Sequence, residues 1–108
     1  MTKRAYTSHR TDGNHAEIVK ALRGIGASVL DIHDLGSGAP DLVVGFRAIN
    51  LLLEVKDGRL PPSRKKLTPD ELKFFDEWRG AVYIVYSPAD AIDVVNRMTT
   101  LDDDDFPF

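Results

Sequence analysis

Residues 40–56 read PDLVVGFRAINLLLEVK, and this stretch decides the fold. Its two apolar runs are typical of β-strands, Leu42–Phe46 and Leu51–Val55. Charged residues stand where these strands begin and end, because Asp41 opens the first and Glu54 and Lys56 close the second. A buried charge costs several kcal/mol unless it is paired or binds a metal. The three side chains are therefore predicted to be compensated by partners or to line a site.

The periodicity of strands indicates how these groups meet. Side chains alternate along a strand, so Glu54 and Lys56 lie on the same side. A hairpin that turns through Arg47–Asn50 would place Asp41 beside Glu54. Two adjacent carboxylates repel each other unless a cation joins them, and oxygen ligands of this kind suit Mg²⁺ or Mn²⁺. Lys56 beside such an ion is suited to contact a substrate phosphate.

The rest of the chain predicts the element order α-β-β-β-α-β-α, an α/β or α+β fold with helices packed on one mixed sheet. A helix over 12–25 begins at Asp12 or Asn14, and a capping box from Thr68 to Glu71 begins a helix that ends at Trp78. The other predicted elements are strands over 27–32 and 81–86, a turn over 34–40, a loop over 57–67 and a helix from 87 to about 98. The aromatic residues near the second helix are predicted to be core residues: Phe74, Phe75, Trp78, Tyr83 and Tyr86.

Length and composition predict one soluble, cytoplasmic domain. The 108 residues suit a single modest core, no apolar run could span a membrane, and the absence of cysteine fits a reducing compartment. We divide the chain into a basic N-terminal arm (1–11), a folded domain (12–98) and an acidic tail (99–108). Without Asp102–Asp105, 13 acidic residues face 14 Lys and Arg, so the remaining chain is near +1.

A basic cluster follows the second strand of the hairpin, within one proline-containing loop: Arg59, Arg64, Lys65 and Lys66. Such a cluster is typical of a surface that binds the phosphate backbone of DNA. A loop that is merely solvated is the alternative.

The pair Pro40-Asp41, followed by Glu54-Val55-Lys56, resembles the PD-(D/E)xK signature of restriction-endonuclease-like nucleases. The order and spacing over residues 17–95 are similar to small VRR-NUC nucleases, common in phages, and to archaeal-type Holliday junction resolvases. The resemblance implies an αβββαβ core with a central mixed sheet flanked by helices. It also implies a Mg²⁺- or Mn²⁺-dependent DNA endonuclease of recombination or repair, with a homodimer expected by analogy.

The resemblance also implies roles for single residues. The implied metal ligands are Asp41, Glu54, the Val55 carbonyl and, as an outer ligand on the inner side of the first helix, Glu17. Lys56 would orient the attacking water and stabilise the phosphorane-like transition state. Glu71 stands where these families usually carry Gln, and its capping role leaves its catalytic assignment open.

Two alternatives stay open at this point. Asp41 could cap a turn while Glu54 and Lys56 form a solvated pair, and the fold could serve as a catalytically silent DNA-binding or adaptor module. The histidines are not predicted to bind metal, because His9, His15 and His33 show no metal-ligand spacing and no cysteine supports them.

The C-terminal sequence LDDDDFPF is similar to the acidic tip of bacterial single-stranded-DNA-binding proteins. That resemblance implies docking on host repair proteins through Asp103, Asp104, Asp105, Phe106, Pro107 and Phe108. The alternatives are a tail that folds back on the basic loop, one that docks on a second protomer, and one that is only solvated.

Overall fold

The structure, a computed structural model, describes residues 11–100. Its helices and strands follow the predicted order: α1 (His15–Gly24), β1 (Ser28–Asp31), β2 (Leu42–Phe46), β3 (Ile49–Val55), α2 (Pro69–Glu77), β4 (Val82–Val85) and α3 (Pro88–Thr99). The four strands form one sheet in the order β1-β2-β3-β4. β1 and β3 both pair antiparallel with β2, whereas β3 and β4 are parallel. The prediction of an α+β fold with one mixed sheet is confirmed.

The hairpin between β2 and β3 is tighter than predicted. Phe46 pairs with Ile49, so only Arg47 and Ala48 form the turn. Both turn residues have positive φ, 52° and 66°, which matches the twist of two-residue hairpins. The Arg47 side chain donates a hydrogen bond to Thr100 Oγ1 at 2.6 Å, and this contact helps to hold the turn. The predicted four-residue turn is wrong because its last two residues belong to β3.

The hydrophobic core lies between the sheet and the pair α1 and α3. The register pairs Leu42 with Leu53 and Val44 with Leu51, so these four side chains share one face of the sheet. All four are buried, together with residues of the two helices: Ile18, Val19, Leu22, Ala91, Val94 and Val95. Full burial of each large aliphatic side chain contributes about 1.5–3 kcal/mol.

Helix α2 begins at the predicted capping box but lies outside this core. Thr68 Oγ1 accepts a hydrogen bond from the Glu71 N–H at 3.2 Å, and a Glu71 carboxylate oxygen accepts one from the Thr68 N–H at 2.9 Å. No residue of α2 is buried. Trp78, which follows the helix, is 48% exposed and stacks on Phe74 with ring centroids 5.0 Å apart. The prediction that these aromatics are core residues is wrong, because α1 and α3 already supply the helical side of the core.

Strand β4 is an edge strand, and its burial follows from that position. Val85 is buried, but Tyr83 is only half-buried and Tyr86 is 39% exposed. The prediction that Tyr83 and Tyr86 are core residues is therefore wrong in part: Tyr83 packs against the core, whereas Tyr86 follows an edge strand that pairs only with β3 and is exposed. Within residues 11–100, no helix has the length and apolar character needed to cross a bilayer.

The ends of several strands meet at one end of the sheet, and a site can form there. The antiparallel register brings the end of β1 beside the start of β2, and the parallel register brings the ends of β3 and β4 together. Asn14, which precedes α1, donates from Nδ2 to the Lys56 carbonyl at 3.2 Å and to the Tyr86 carbonyl at 3.0 Å. The start of α1 is thereby held against the same end of the sheet.

Candidate functional site

Asp41 lies beside the end of β3, as the hairpin predicted. Its backbone N–H donates to the Leu53 carbonyl at 3.0 Å, and its Oδ2 accepts the Val55 N–H at 2.8 Å. The register that pairs Leu42 with Leu53 places Asp41 next to Glu54. Burial raises the pKa of Asp41 above its usual value, although the Val55 N–H opposes that shift. The two carboxylates of the predicted pair are therefore brought together.

Glu54 is the more strongly perturbed member of the pair. Its side chain is only 3% exposed, and its Oε1 atom has no hydrogen-bond partner among residues 11–100. Burial raises the pKa of Glu54 to about 9, and the charges of Asp41 and Glu71 add to the shift. In the absence of a cation, Glu54 therefore holds a proton at neutral pH.

Lys56 lies between two carboxylates at the same end of the sheet. Its Nζ is 2.9 Å from Glu71 Oε1 and 3.6 Å from Glu54 Oε2. Burial opposes the charged form, but the hydrogen bond to Glu71 and the negative charges of Glu71 and Glu54 together outweigh it and raise the pKa of Lys56. Glu71 thus caps α2 and binds Lys56 with the same oxygen, Oε1. Glu71, whose role the sequence left open, therefore holds the Lys56 ammonium in place.

Unpartnered oxygens around these groups match the donor set of a hard cation. Among residues 11–100, the buried side-chain atoms that lack a hydrogen-bond partner include three acceptors, Asp12 Oδ2, Asn14 Oδ1 and Glu54 Oε1. Asp12 lies close enough to raise the pKa of Asp41 through its charge. Buried acceptors without donors are costly and call for a missing partner, and carboxylate and amide oxygens are the ligands that Mg²⁺ and Mn²⁺ prefer. The chemistry of these oxygens is therefore suited to a divalent ion.

Glu17 does not lie where the resemblance placed it. Its side chain is exposed on α1, so the expected position on the inner side of the helix is wrong. It borders a cleft of about 320 Å³ together with Asn14, Asp57 and Arg59. Its role as an outer metal ligand stays a prediction. Asp12, which sequence reasoning treated only as a helix cap, precedes α1 and is the acidic residue whose charge acts on the Asp41 carboxylate.

The basic loop lies directly after Lys56, but its cations are not equivalent. The Arg59 guanidinium makes two bonds to the Asp57 carboxylate, at 2.9 and 2.8 Å, and it holds the pKa of Asp57 down to about 2. Lys65 donates to the Gly58 carbonyl at 3.3 Å. Arg64 and Lys66 are exposed. The loop therefore offers Arg64, Lys65 and Lys66 to an anion more readily than Arg59.

A second polar cluster lies at the end of β1, the strand that pairs with β2, and it was not predicted from the sequence. His15 Nε2 is 2.8 Å from Asp31 Oδ2, and His33 Nδ1 is 2.6 Å from Asp31 Oδ1. These three side chains form a group whose geometry could hold a metal ion. The expectation that the histidines have no such arrangement was wrong for His15 and His33. The positions of His15, Asp31 and His33 along the chain do not form a metal-binding motif. Tertiary packing brings the three side chains together.

Residues 1–10 of the basic arm and residues 101–108 of the acidic tail lie outside the described residues, so the predictions made for Asp103–Phe108 stay predictions. No protein-family model matches the chain, and neither a curated protein nor a solved structure matches it. The likeness to PD-(D/E)xK nucleases therefore stays a prediction from the motif and the element order.

Proposed function

We propose that this protein is a divalent-metal-dependent DNA endonuclease with a restriction-endonuclease-like αβββαβ core. The observation that carries the proposal is the end of the sheet where Asp41, Glu54 and Lys56 converge around buried oxygens that lack donors. The packing of an ordinary hydrophobic core does not explain this arrangement. Such a core avoids a buried carboxyl group with a pKa of about 9 beside a second carboxyl group.

The proposed metal ligands are the Asp41 and Glu54 carboxylates and the Val55 carbonyl, with Asp12 better placed than Glu17 to add an outer oxygen. The ion is Mg²⁺ or Mn²⁺, because every candidate donor is an oxygen. When bound, such an ion polarises a phosphoryl oxygen and lowers the pKa of a coordinated water. Binding requires Glu54 to release its proton, so affinity should rise with pH.

Lys56 acts as a hydrogen-bond donor in this proposal and not as a base. Its raised pKa keeps the ammonium charged at neutral pH, and Glu71 fixes its position. A fixed ammonium can orient the attacking water and stabilise the charge that develops on the phosphate. The DNA backbone would pass from this lysine along the exposed Arg64 and Lys66.

The test is a nicking assay on linear and branched DNA with Mg²⁺, Mn²⁺ or EDTA. Lys56→Met should abolish cleavage while the variant still binds DNA. Methionine keeps an unbranched side chain of nearly the same length but has no ammonium group. Lys73→Met, which removes an exposed lysine of α2, is the matched control and should cleave normally. Cleavage by Lys56→Met at the rate of the control would refute the proposal, and DNA binding without cleavage by the wild type would favour the silent adaptor module.

Metal binding is tested separately by thermal denaturation. Mn²⁺ should raise the melting temperature of the wild type, because a ligand of the native state stabilises it. Asp41→Asn should remove that increase and remain folded. An equal increase in both proteins would place the ion elsewhere.

The proposed biological setting is DNA recombination or repair in a bacterial or phage-infected cell, with a homodimer to pair two active sites. The tail would recruit host repair proteins by imitating the tip of single-stranded-DNA-binding proteins. A peptide of residues 101–108 should bind a tip-binding repair protein in the micromolar range, about −8 kcal/mol, and lose binding when Phe108 is deleted. If the tailless protein instead binds DNA more tightly, the tail is autoinhibitory. If neither effect is seen, it is solvated.

A further inference from the structure

The cluster on β1 has the geometry of a ligand set. Asp31 ends β1, and its two oxygens contact one nitrogen each from His15 on α1 and His33 in the following turn. One ligand atom from each residue lies within 4.8 Å of the other two. The imidazole rings meet edge to face, with centroids 5.4 Å apart. Three elements of the fold thus present two imidazoles and one carboxylate to a common point.

The separations suit a bound transition metal with little rearrangement. Zinc binds nitrogen and oxygen at about 2.0–2.2 Å, which sets neighbouring ligand atoms about 3 Å apart. The nitrogen–oxygen distances are already 2.8 Å from His15 to one Asp31 oxygen and 2.6 Å from His33 to the other. The Asp31 and His33 side chains are partly exposed, so water can complete the coordination.

One further contact indicates that hydrogen bonding within the cluster is not its whole role. His33 Nε2 lies 3.1 Å from Asp34 Oδ1, and a carboxylate behind a histidine is the usual partner that orients a metal-bound ring. His15 is buried, yet its Nδ1 atom has no partner among residues 11–100. Among residues 11–100, the hydrogen bond of this ring is therefore made at Nε2, the atom that faces Asp31.

We propose that His15, Asp31 and His33 bind one Zn²⁺ ion through His15 Nε2, one Asp31 oxygen and His33 Nδ1. Two imidazoles select a borderline-soft ion and disfavour Mg²⁺, so this site and the carboxylate site of Asp41 and Glu54 take different metals. The ion joins the first turn of α1 to the end of β1. The Ile32 N–H next to Asp31 donates to the Asp41 carbonyl at 2.8 Å, so the same ion also fixes the start of β2. This site does not depend on nuclease activity.

The test uses untagged protein, stripped of metal with EDTA and titrated with Zn²⁺ by calorimetry. The wild type and an Asp41→Asn variant should each bind one ion per chain at this site. His33→Ala should lower its affinity by at least about tenfold, because a direct ligand matters at least as much as an outer partner. His9→Ala, which removes the third histidine of the chain, is the matched control and should bind as the wild type does.

Ring ¹⁵N spectra of the wild type provide a readout that does not depend on whether a variant folds. Zn²⁺ should shift the signals of His15 Nε2 and His33 Nδ1 and leave those of His9 unchanged, whereas Mg²⁺ should shift none of them. Equal Zn²⁺ affinity in His33→Ala and the wild type would overturn the proposal. Loss of stoichiometric Zn²⁺ in Asp41→Asn, together with unshifted histidine signals, would also overturn it and assign zinc to the carboxylate site.

Discussion

Replacement of Glu54 by Gln should stabilise the metal-free protein, and the gain should grow with pH. The amide keeps the shape of the side chain and removes the charge that burial penalises. The wild-type carboxyl has a pKa of about 9 in the folded state against 4.5 as a model value. Because the folded-state pKa is raised, the native state binds the proton more tightly. Its contribution is fully present below 4.5 and is lost as the pH rises towards 9.

The magnitude follows from the size of this shift. Between the two pKa values, each unit of pH above 4.5 lowers the free energy of unfolding of the wild type by about 1.4 kcal/mol relative to the variant. At about pH 8 the difference is therefore about 5 kcal/mol. Relaxation around Lys56 and Glu71 reduces this figure, and we expect a gain of roughly 2–5 kcal/mol in the free energy of unfolding. At about pH 5 the difference should fall below about 1 kcal/mol.

The assay is urea denaturation in EDTA, followed by circular dichroism, at several pH values across this window. Glu77→Gln is the matched control, because it makes the same chemical change at an exposed position of α2. A Glu54→Gln variant that is less stable than the wild type at high pH would refute the reasoning, since the carboxylate would then be well compensated without a metal. A constant difference at all pH values would refute it as well.

Three other variants test separate parts of the fold and of the surface. Thr68→Ala removes the cap of α2 and should lower the free energy of unfolding by about 1 kcal/mol in urea titrations; an unchanged midpoint would contradict the capping assignment. Replacement of Arg64, Lys65 and Lys66 by Ala should weaken DNA binding on all sequences and lower the slope of log K against log salt by about 0.9 for each lost phosphate contact, whereas an unchanged slope would show a merely solvated loop. Gly38→Ala should lower the melting temperature, because φ is +79° there and a Cβ atom would overlap the Asp70 carbonyl; a variant as stable as the wild type would show that this loop moves aside easily.

The carboxylate pair could be predicted from the sequence because it depends on local rules. Strand alternation sets the side on which Glu54 lies, and a hairpin leaves few choices for the residue opposite it. The shortened turn at Arg47 and Ala48 shifts the pairing by two residues, which keeps every side chain on its predicted face and brings Asp41 beside Glu54. The capping box of α2 is equally local and was predicted residue by residue.

Features that depend on how helices dock could not be predicted in the same way. Asp12 and Glu17 both lie near the start of α1, and only the packing of that helix decides which of them approaches Asp41. The pair His15 and Asp31 is 16 residues apart and joins a helix to a strand. Neither spacing has a periodic signal, because the contact is set by tertiary packing. The exposure of Trp78 has the same origin, since an amphipathic pattern indicates an apolar side but not how completely it is covered.

The double hydrogen bond of Asn14 has a consequence for the order of folding. Its two acceptors, the carbonyls of Lys56 and Tyr86, lie 42 and 72 residues further along the chain. Contacts between such distant residues require large loops to close and therefore form late. The start of α1 can be secured only after β4 has paired with β3, near the end of the chain. We expect an incompletely folded chain to have its hairpin but not the assembled end of the sheet, so that the side chains of the proposed site would come together only in a late folding step.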